Sequence, residues 1–524
     1  MTVLTGQARR TRAEPLAAVR PWTIALAFGL VAAVVCAAGS WIPSLWGDEA
    51  ATLLSAKRPL DSLARMVTHV DAVHGVYYLG MHGWIRIAGE SAFALRLPSA
   101  IAVGAAVAGV TLLAGRRGGP SAAIVAGVVA TVLPRLTYAG EEARSYALTA
   151  AVAVWLTLLL LWLLDGAGRD ASPSRRRLGW VLYGVGLAAG SYLFLYFVSI
   201  ALAHAAIVLL SRASRPALRA WAISTAAAVL ALAPLIVVAF LERRQIRYLG
   251  AQTLDYSTLL WAPWFWTPWF AVLAWALIVA AAVPVWRAWR LRRRAGAAAV
   301  SAPPPISATT VALCVLLLPT GGLVLADLVF PLYAARYSTF AAPFAALAMA
   351  EGVLVIGRRL GRTSARRAMV ATASITLVVV AACAPVYVLQ RGPYAKNDSD
   401  WAEVSAAVAA HARPGDAVVF DERARPSQRP RLAMRTYPDG FAEVRDVTLQ
   451  VPYDRNIGWA DRAYSVPRAA QHGRFDGVRR VWLLELVIDG EQHTYGMDDL
   501  EDLGFQETGV RVSTHRTVLI ELTR

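Results

Sequence analysis

The chain is dominated by apolar runs that are each about long enough to cross a bilayer. They fall at about 22–42, 98–114, 120–138, 147–164, 178–193, 195–211, 219–240, 269–289, 308–330, 337–356 and 368–389, and roughly twenty apolar residues span the hydrocarbon core. A backbone in lipid has to satisfy its own polar groups, so each run must be helical. With 57% of the 524 residues hydrophobic and 17% charged, a water-soluble fold is excluded. The sequence predicts an α-helical polytopic membrane protein of about 11 transmembrane helices.

The placement of charge sets the expected orientation. Arg9-Arg10, Arg116-Arg117, Arg175-Arg176-Arg177, Arg292-Arg293-Arg294, Arg358-Arg359 and Arg366-Arg367 all lie in short links between runs. An amino terminus in the cytoplasm and eleven crossings put every one of these links on the cytoplasmic side and the carboxyl terminus outside. The net charge of +17 then reflects topology and contact with anionic lipid. No basic stretch is interleaved with aromatics on a polar surface, which argues against nucleic acid as a partner. The first run lacks a small-residue cleavage site and reads as an uncleaved first helix. Cys36, Cys314 and Cys383 sit inside apolar runs and read as small core residues.

The segment Val76–Ala88 is apolar but short and carries His82 and Arg86. A crossing there would invert every downstream link, so it reads as a helix lying in the outer interface. The first outer loop, 43–97, is thus long, and long ordered loops usually carry function. A second outer loop between Glu242 and Phe270 holds Trp261, Trp264, Trp266 and Trp269, with Trp275 just beyond. These rings form an interfacial belt or a surface for stacking on sugar faces. Ala295–Ala308 reads as a flexible cytoplasmic linker.

A transmembrane domain therefore covers 1–389, and residues 390–524 form a polar extracytoplasmic α/β domain. Its expected elements are a helix at Trp401–Ala412, a turn at Pro414-Gly415-Asp416, and strands at Ala417–Phe420, Val478–Ile488 and Thr517–Leu522. It shows no nucleophile elbow, phosphate loop or metal-ligand cluster, which favours docking over catalysis there.

Four constellations on the expected outer face could do chemistry: Asp48-Glu49, Asp71 to His74, Glu141 to Tyr146, and Ala335-Arg336-Tyr337. A charged pair where a helix leaves the bilayer is costly unless it has a partner or a task. Transfer of a group away from a phosphate needs a base for the incoming hydroxyl and cations for the departing phosphate. A carboxylate at a helix exit suits the first role, and arginine forks suit the second. Glu49 reads either as a helper or as a first-turn acid of the next helix. Asp71 and His74 read as site residues or as loop hydrogen-bonding groups. Arg144 contacts a phosphate or pairs with Glu141, and Arg336 contacts the same phosphate or anchors a headgroup.

An ordered set of motifs carries a resemblance. The first helix is followed by Asp48-Glu49, then His74-Gly75-Val76-Tyr77-Tyr78-Leu79, then Phe93-Ala94-Leu95-Arg96-Leu97-Pro98-Ser99, then Glu142-Ala143-Arg144-Ser145-Tyr146-Ala147-Leu148. Over roughly residues 20–210 this resembles the type C glycosyltransferases of the protein O-mannosyltransferase and aminoarabinose transferase group. The His-Pro-Pro-Leu-Tyr-Tyr pattern of that group lacks both prolines here, and Ser145 stands where its Glu-Ala-Arg-Pro-Tyr pattern has proline. The resemblance implies an inverting transferase that moves a hexose or pentose, such as mannose, from a polyprenyl-phosphate donor to a cell-envelope glycan, lipid or protein acceptor. It places the first-loop acid, here Asp48, at the reaction centre; the chemistry of the residues then makes Asp48 the expected base with Glu49 beside it and Arg144 and Arg336 on the donor phosphate. Asp71, His74, Glu142, Tyr146 and Tyr337 are then expected to bind substrate. Some members use a divalent metal and others none, and no cofactor is assigned here. The alternative from another class is a transporter or flippase of a lipid-linked glycan; it is disfavoured because the charged sites gather at one face rather than at the membrane midplane.

Overall fold

A computed structural model describes residues 21–165, 168, 170–242, 255–295, 306–488, 490–492 and 494–524. The N-terminal arginines, most of the linker Ala295–Ala308 and residues 243–254 of the tryptophan loop lie outside them.

The helices are α1 (Pro21–Ala37), α2 (Gly47–Lys57), α3 (Leu60–Val67), α4 (Gly75–Ala88), α5 (Ala92–Gly118), α6 (Pro120–Val132), α7 (Pro134–Gly140) and α8 (Tyr146–Leu164). They continue with α9 (Pro173–Leu193), α10 (Ile200–Leu210), α11 (Arg215–Ala231), α12 (Ala233–Leu241), α13 (Pro268–Ala295), α14 (Ala308–Asp327), α15 (Ala342–Leu360) and α16 (Ala365–Leu389). Local chemistry places their ends. Ser91, Ser172, Ser214 and Ser307 each accept a hydrogen bond from the backbone N–H three residues on, capping α5, α9, α11 and α14. Gly119, at φ +81, ends α5, and Pro120 starts α6 with its missing N–H in the one place where none is needed.

Among the described residues six helices are long and apolar enough to cross a membrane, and eight spans result if each of two bent pairs is counted as one crossing. The expected count of about eleven is not confirmed by length and composition among these residues. Pro134 breaks the run 120–138 into α6 and α7 with a 60° bend, and α11 and α12 meet at 42°. Helix α1 and the apolar helix Leu195–Leu210 are shorter than a full span. The segment expected to lie in the interface is helical as α4 and is not among the spanning candidates.

The bundle is layered by burial. The window in α5 is 78% buried and that in Ala335–Leu360 83%, against 17% for α16, so α5 and α15 form the centre while α16 presents Met369, Leu377 and Leu389 outward to lipid. Helices α1 and α5 approach closely through small residues: a Cβ on Gly104 would lie 2.6 Å from the Gly29 carbonyl oxygen. In lipid such backbone proximity replaces the hydrophobic drive that packs soluble helices.

The polar C-terminal part begins with α17 (Trp401–His411) and contains β1 (Ala417–Phe420), α18 (Arg431–Thr436), β2 (Arg445–Asp446), β3 (Leu449–Val451), β4 (Arg462–Ala463), β5 (Arg480–Ile488), β6 (Glu491–Gln492), β7 (Gln506–Ser513) and β8 (Thr517–Thr523). The main sheet runs β2-β1-β5-β8-β7; β1 is parallel to its neighbours β2 and β5, and the β5–β8 and β7–β8 pairs are antiparallel. This unit is fastened to the first loop. Ala50 and Leu54 of α2 share an apolar cluster with Trp401, Phe420, Leu432 and Trp482. The buried Arg58 guanidinium donates to the carbonyls of Asn456 (2.8 Å) and Gly458, and Tyr437 Oη accepts from the Leu45 N–H at 2.8 Å.

Candidate functional site

Helix α2 opens the site. Trp46 precedes it in extended conformation, and Asp48 and Glu49 occupy its first turn, where the helix dipole favours negative charge. Adjacent helical residues point about 100° apart, so the two acids enter different surroundings. Glu49 turns into the protein. It is fully buried and gripped by Arg96 through two parallel hydrogen bonds, Nε to Oε1 at 2.8 Å and Nη2 to Oε2 at 2.6 Å. Its Oε1 also accepts from the Ala143 N–H at 2.9 Å. Arg96 spends its remaining donors on the carbonyls of Ser40, Pro43 and Ser44. Glu49, expected next to Asp48 at the reaction centre, is thus committed to an ion pair that clamps α2, α5 and the 141–145 loop together.

Asp48 faces the other way. Its side chain is 20% exposed, with Arg336 Nη2 at 3.8 Å and Arg144 Nε at 3.9 Å from Oδ2. Both distances exceed a hydrogen bond, and Oδ2 has no hydrogen-bond donor among the described residues.

Arg144 is the hub. Nη1 donates to the Asp48 carbonyl (3.3 Å) and to Tyr78 Oη (3.2 Å), and Nη2 to His74 Nε2 at 3.0 Å. Tyr78 in turn donates to Asp71 Oδ2 at 3.0 Å. The expected alternative partner, Glu141, is elsewhere: it is buried against Arg391 (3.3 Å) and Lys396 (3.6 Å), just past α16. Because Nε2 of His74 accepts from Arg144, the ring proton sits on Nδ1, which has no partner among the described residues. Burial, with Arg144 and Arg336 nearby, holds His74 well below the usual histidine range, so the ring is neutral. Burial raises the Asp71 carboxyl, with Arg144 and Tyr78 opposing.

Glu142 lies in the same loop, and its carbonyl accepts from Ser99 Oγ at 2.6 Å. Burial pushes its carboxyl up to about 7, Asp48 and Glu49 adding to the shift while Lys396 and Arg336 work against it. Tyr146, Tyr337, Phe194 and Tyr196 build an aromatic wall: Phe194 lies 5.4 Å from Tyr146 and 5.2 Å from Tyr337, and Tyr337 lies 5.2 Å from Tyr196. The Arg336 guanidinium sits 5.7 Å from the Tyr337 ring centre.

Asp48, Asp71, His74, Arg144, Arg336 and Tyr337 therefore converge, with Glu142 and Tyr146 electrostatically coupled to Asp48. Sequence reasoning missed Tyr78, Phe194, Tyr196, Lys396, Arg391 and Arg135. Lys396 and Arg391 were findable as the first cations after the last apolar run. Arg135 is buried, donates to the Ala262 carbonyl and faces the Trp266 ring at 5.1 Å; nothing in its neighbourhood in sequence marks it. The tryptophans divide: Trp266 packs 4.3 Å from Tyr138 beside Arg135, whereas Trp264 is buried and donates to the Ser338 carbonyl. No group of three or more His, Cys, Asp or Glu side chains is arranged to hold a metal ion among the described residues.

No protein-family model matches the sequence, and no curated protein matches it. The fold does have matches among solved structures. The crystal structure of ArnT from Cupriavidus metallidurans in the apo state superposes with a TM-score of 0.55 at 12% identity, over 95% of this chain and 97% of that one. ArnT bound to undecaprenyl phosphate gives 0.51 at the same identity and coverage. The archaeal oligosaccharyltransferase AglB from Archaeoglobus fulgidus, in complex with an inhibitory peptide and a dolichol-phosphate, gives 0.48 at 12% identity, over 88% of this chain and 69% of that one. At these identities the likeness to ArnT is one of fold.

Proposed function

We propose that this chain, which has the fold of the type C glycosyltransferases, transfers a sugar from a polyprenyl-phosphate donor to an acceptor hydroxyl with inversion. The observation that carries the reading is Asp48: a carboxylate oxygen without a hydrogen-bond donor, between two guanidinium groups, on a fold that in ArnT has been captured with undecaprenyl phosphate.

In this reading the Asp48 carboxylate, with its side chain 20% exposed, accepts the proton of the acceptor hydroxyl as that oxygen attacks the anomeric carbon. The bond from that carbon to the phosphate oxygen breaks, and its electron pair leaves with the lipid phosphate. Arg336, one-third exposed beside Asp48, takes the new charge. Arg144 is buried and largely occupied, so its role is to fix Asp48 and His74. The neutral His74 lies beneath the site and helps to orient Arg144 through its Nε2. Glu142, Tyr146 and Tyr337 line the sugar side. A hexose or pentose fits this chemistry, mannose included.

The site also has the polarity expected of an extracytoplasmic active face. Arg96 at the start of α5 is in the site, while Arg116 and Arg117 end the same helix. Arg336 precedes α15, while Arg358 and Arg359 end it. The arginine-rich links are thus at the end of the bundle opposite the site, which supports a cytoplasmic amino terminus and an external C-terminal unit.

The test uses purified protein in lipid nanodiscs with radiolabelled polyprenyl-phosphate mannose and an acceptor extract from the envelope. Asp48→Asn is expected to abolish transfer while the protein stays folded. Wild-type rates in that variant refute the mechanism, and, with the protein reconstituted in vesicles, movement of intact donor across the bilayer without bond cleavage supports the flippase instead.

A further inference from the structure

Arg144 is fixed from behind by one short turn. His74 Nε2 accepts from it at 3.0 Å and Tyr78 Oη at 3.2 Å, and Tyr78 in turn donates to Asp71 Oδ2 at 3.0 Å. Asp71 precedes and His74 closes the one-turn helix Ala72–His74, with a bond from His74 N to the Asp71 carbonyl at 2.9 Å. A single turn has little stability of its own, because a helical nucleus fixes several dihedral angles for one hydrogen bond. Asp71 adds strain, since its φ of +57 lies in the left-handed region that disfavours L side chains. An aspartate in that place commonly caps the turn with its own side chain. Here no such bond forms, and the Asp71 carboxylate serves Tyr78 instead.

The turn is held from far along the chain. Glu242 Oε2 accepts the Ala72 N–H at 3.1 Å, across a separation of 170 residues. Glu242 follows directly on α12, which packs against the 72–74 turn and has only Leu235 fully buried among its nine residues. Ile236, Val237 and Leu241 are exposed, so the acid is a polar hold at the tip of a helix with little apolar grip. The 42° bend between α11 and α12 aims that tip, and Tyr192 Oη secures the bend by donating to the Ala231 carbonyl at 2.8 Å. We propose that Glu242 is a positioning residue for the transfer: it holds Ala72 so that Asp71 and His74 keep Tyr78 and Arg144 in place, and Arg144 in turn keeps the Asp48 backbone. Glu242 itself touches no substrate. This rests on the reading of Asp48 as the base and adds a residue that sets its place.

Wild type, Glu242→Gln, Glu242→Asp and Glu242→Ala are compared as full-length protein in nanodiscs. Hydrogen exchange of a peptide spanning 70–78 is read by mass spectrometry without donor, so it fails separately from the transferase reading. Kinetics against radiolabelled polyprenyl-phosphate mannose are measured on the same preparations. Glutamine keeps an accepting oxygen at the same reach, aspartate keeps the charge but draws it back by one methylene, and alanine keeps neither. Glu242→Ala and Glu242→Asp are expected to speed exchange at least fivefold and to lower kcat about tenfold, with donor KM within about twofold of wild type. Glu242→Gln is expected to restore both readouts. The acid is part-buried at a helix tip, so the aspartate and glutamine variants report even where alanine fails to fold. Unchanged exchange in Glu242→Ala or Glu242→Asp, a rise in KM without a fall in kcat, or no rescue by glutamine overturns the proposal. Faster exchange in Glu242→Ala together with full transfer by Asp48→Asn would keep the hold on the turn and remove the mechanism, whereas unchanged exchange beside an inactive Asp48→Asn would remove the hold alone.

Discussion

Arg144 holds Asp48 by its backbone, not by its carboxylate: Nη1 donates to the Asp48 carbonyl at 3.3 Å while Nε stays 3.9 Å from Oδ2. The guanidinium therefore sets where the carboxylate stands while Oδ2 stays without a hydrogen-bond donor among the described residues. Arg336 reaches the same oxygen at 3.8 Å from a more exposed position. The two arginines should fail in different ways.

Arg144→Gln removes an anchor of α2, His74 and Tyr78 together. A misplacement of about 1 Å at a reacting group costs about 100-fold, so kcat is expected to fall by about that factor with little change in the KM for donor. On the proposed role, in which Arg336 meets the donor phosphate in both ground and transition states, Arg336→Gln is expected to raise donor KM about tenfold and to lower kcat as well. Steady-state kinetics against donor concentration separate the two; identical profiles would remove the division of labour.

The Glu49–Arg96 pair is structural in this geometry and should behave so. Removing one partner leaves a buried charge uncompensated, at about 3–5 kcal/mol. Glu49→Ala or Arg96→Ala alone is expected to collapse the yield of folded protein and its thermal midpoint in detergent. The double replacement Glu49→Leu with Arg96→Met should recover a large part of the stability. Recovery of activity in Glu49→Gln to wild-type level would show that no charge at this position is needed for chemistry, whereas a selective loss of kcat with normal stability would return Glu49 to the reaction.

Glu142 gives a pH signature. Burial raises its folded-state carboxyl from 4.5 to about 7, so the folded protein holds the proton that the unfolded chain releases. Stability from this group is fully present below about pH 4.5 and is lost as pH rises through about 7, by about 3 kcal/mol in all. The thermal midpoint of the wild type is expected to drop between pH 5.5 and 8.5 by a few degrees more than that of Glu142→Gln. Parallel curves for the two proteins would contradict the assignment.

Much of this arrangement is readable from sequence because it depends on local rules. The exit of the first apolar run fixes Asp48 at one end of the bundle, and the C-terminal strands at 417–420 and 517–523 announce themselves by short apolar segments between turns. The count of about eleven spans is not confirmed, and bending is not the main reason: the pairs bent by 60° at Pro134 and by 42° at α11–α12 each still make one candidate crossing, whereas α1 and Leu195–Leu210 are too short for a full span. Pairings at long separation were not legible. Glu141 looks like a neighbour for Arg144 three residues on, but the fold brings it Arg391 and Lys396 instead. The opposite fates of Asp48 and Glu49 follow from helical pitch, yet only the position of Arg96 decides which acid is buried.

Gly47 brings the start of α2, with the proposed base Asp48, against the 426–428 turn of the C-terminal unit. A Cβ there would lie 2.3 Å from the Ser427 carbonyl oxygen and 2.6 Å from its Cβ, closer than atoms tolerate, so either the 426–428 turn or the first turn of α2 must move. Both are tied down: α2 by Arg144 and by the Glu49–Arg96 pair, the turn by its backbone bond from Gln428 N to the Arg425 carbonyl at 2.8 Å. Gly47→Ala is therefore expected to displace Asp48 relative to Arg336 and to lower kcat at least tenfold, while the apolar bundle keeps its thermal midpoint within a few degrees. Gly47→Ser should be at least as severe. Kinetics and thermal unfolding on the same preparations decide the matter: a wild-type kcat in Gly47→Ala would mean that the C-terminal unit yields freely and does not set the position of the carboxylate.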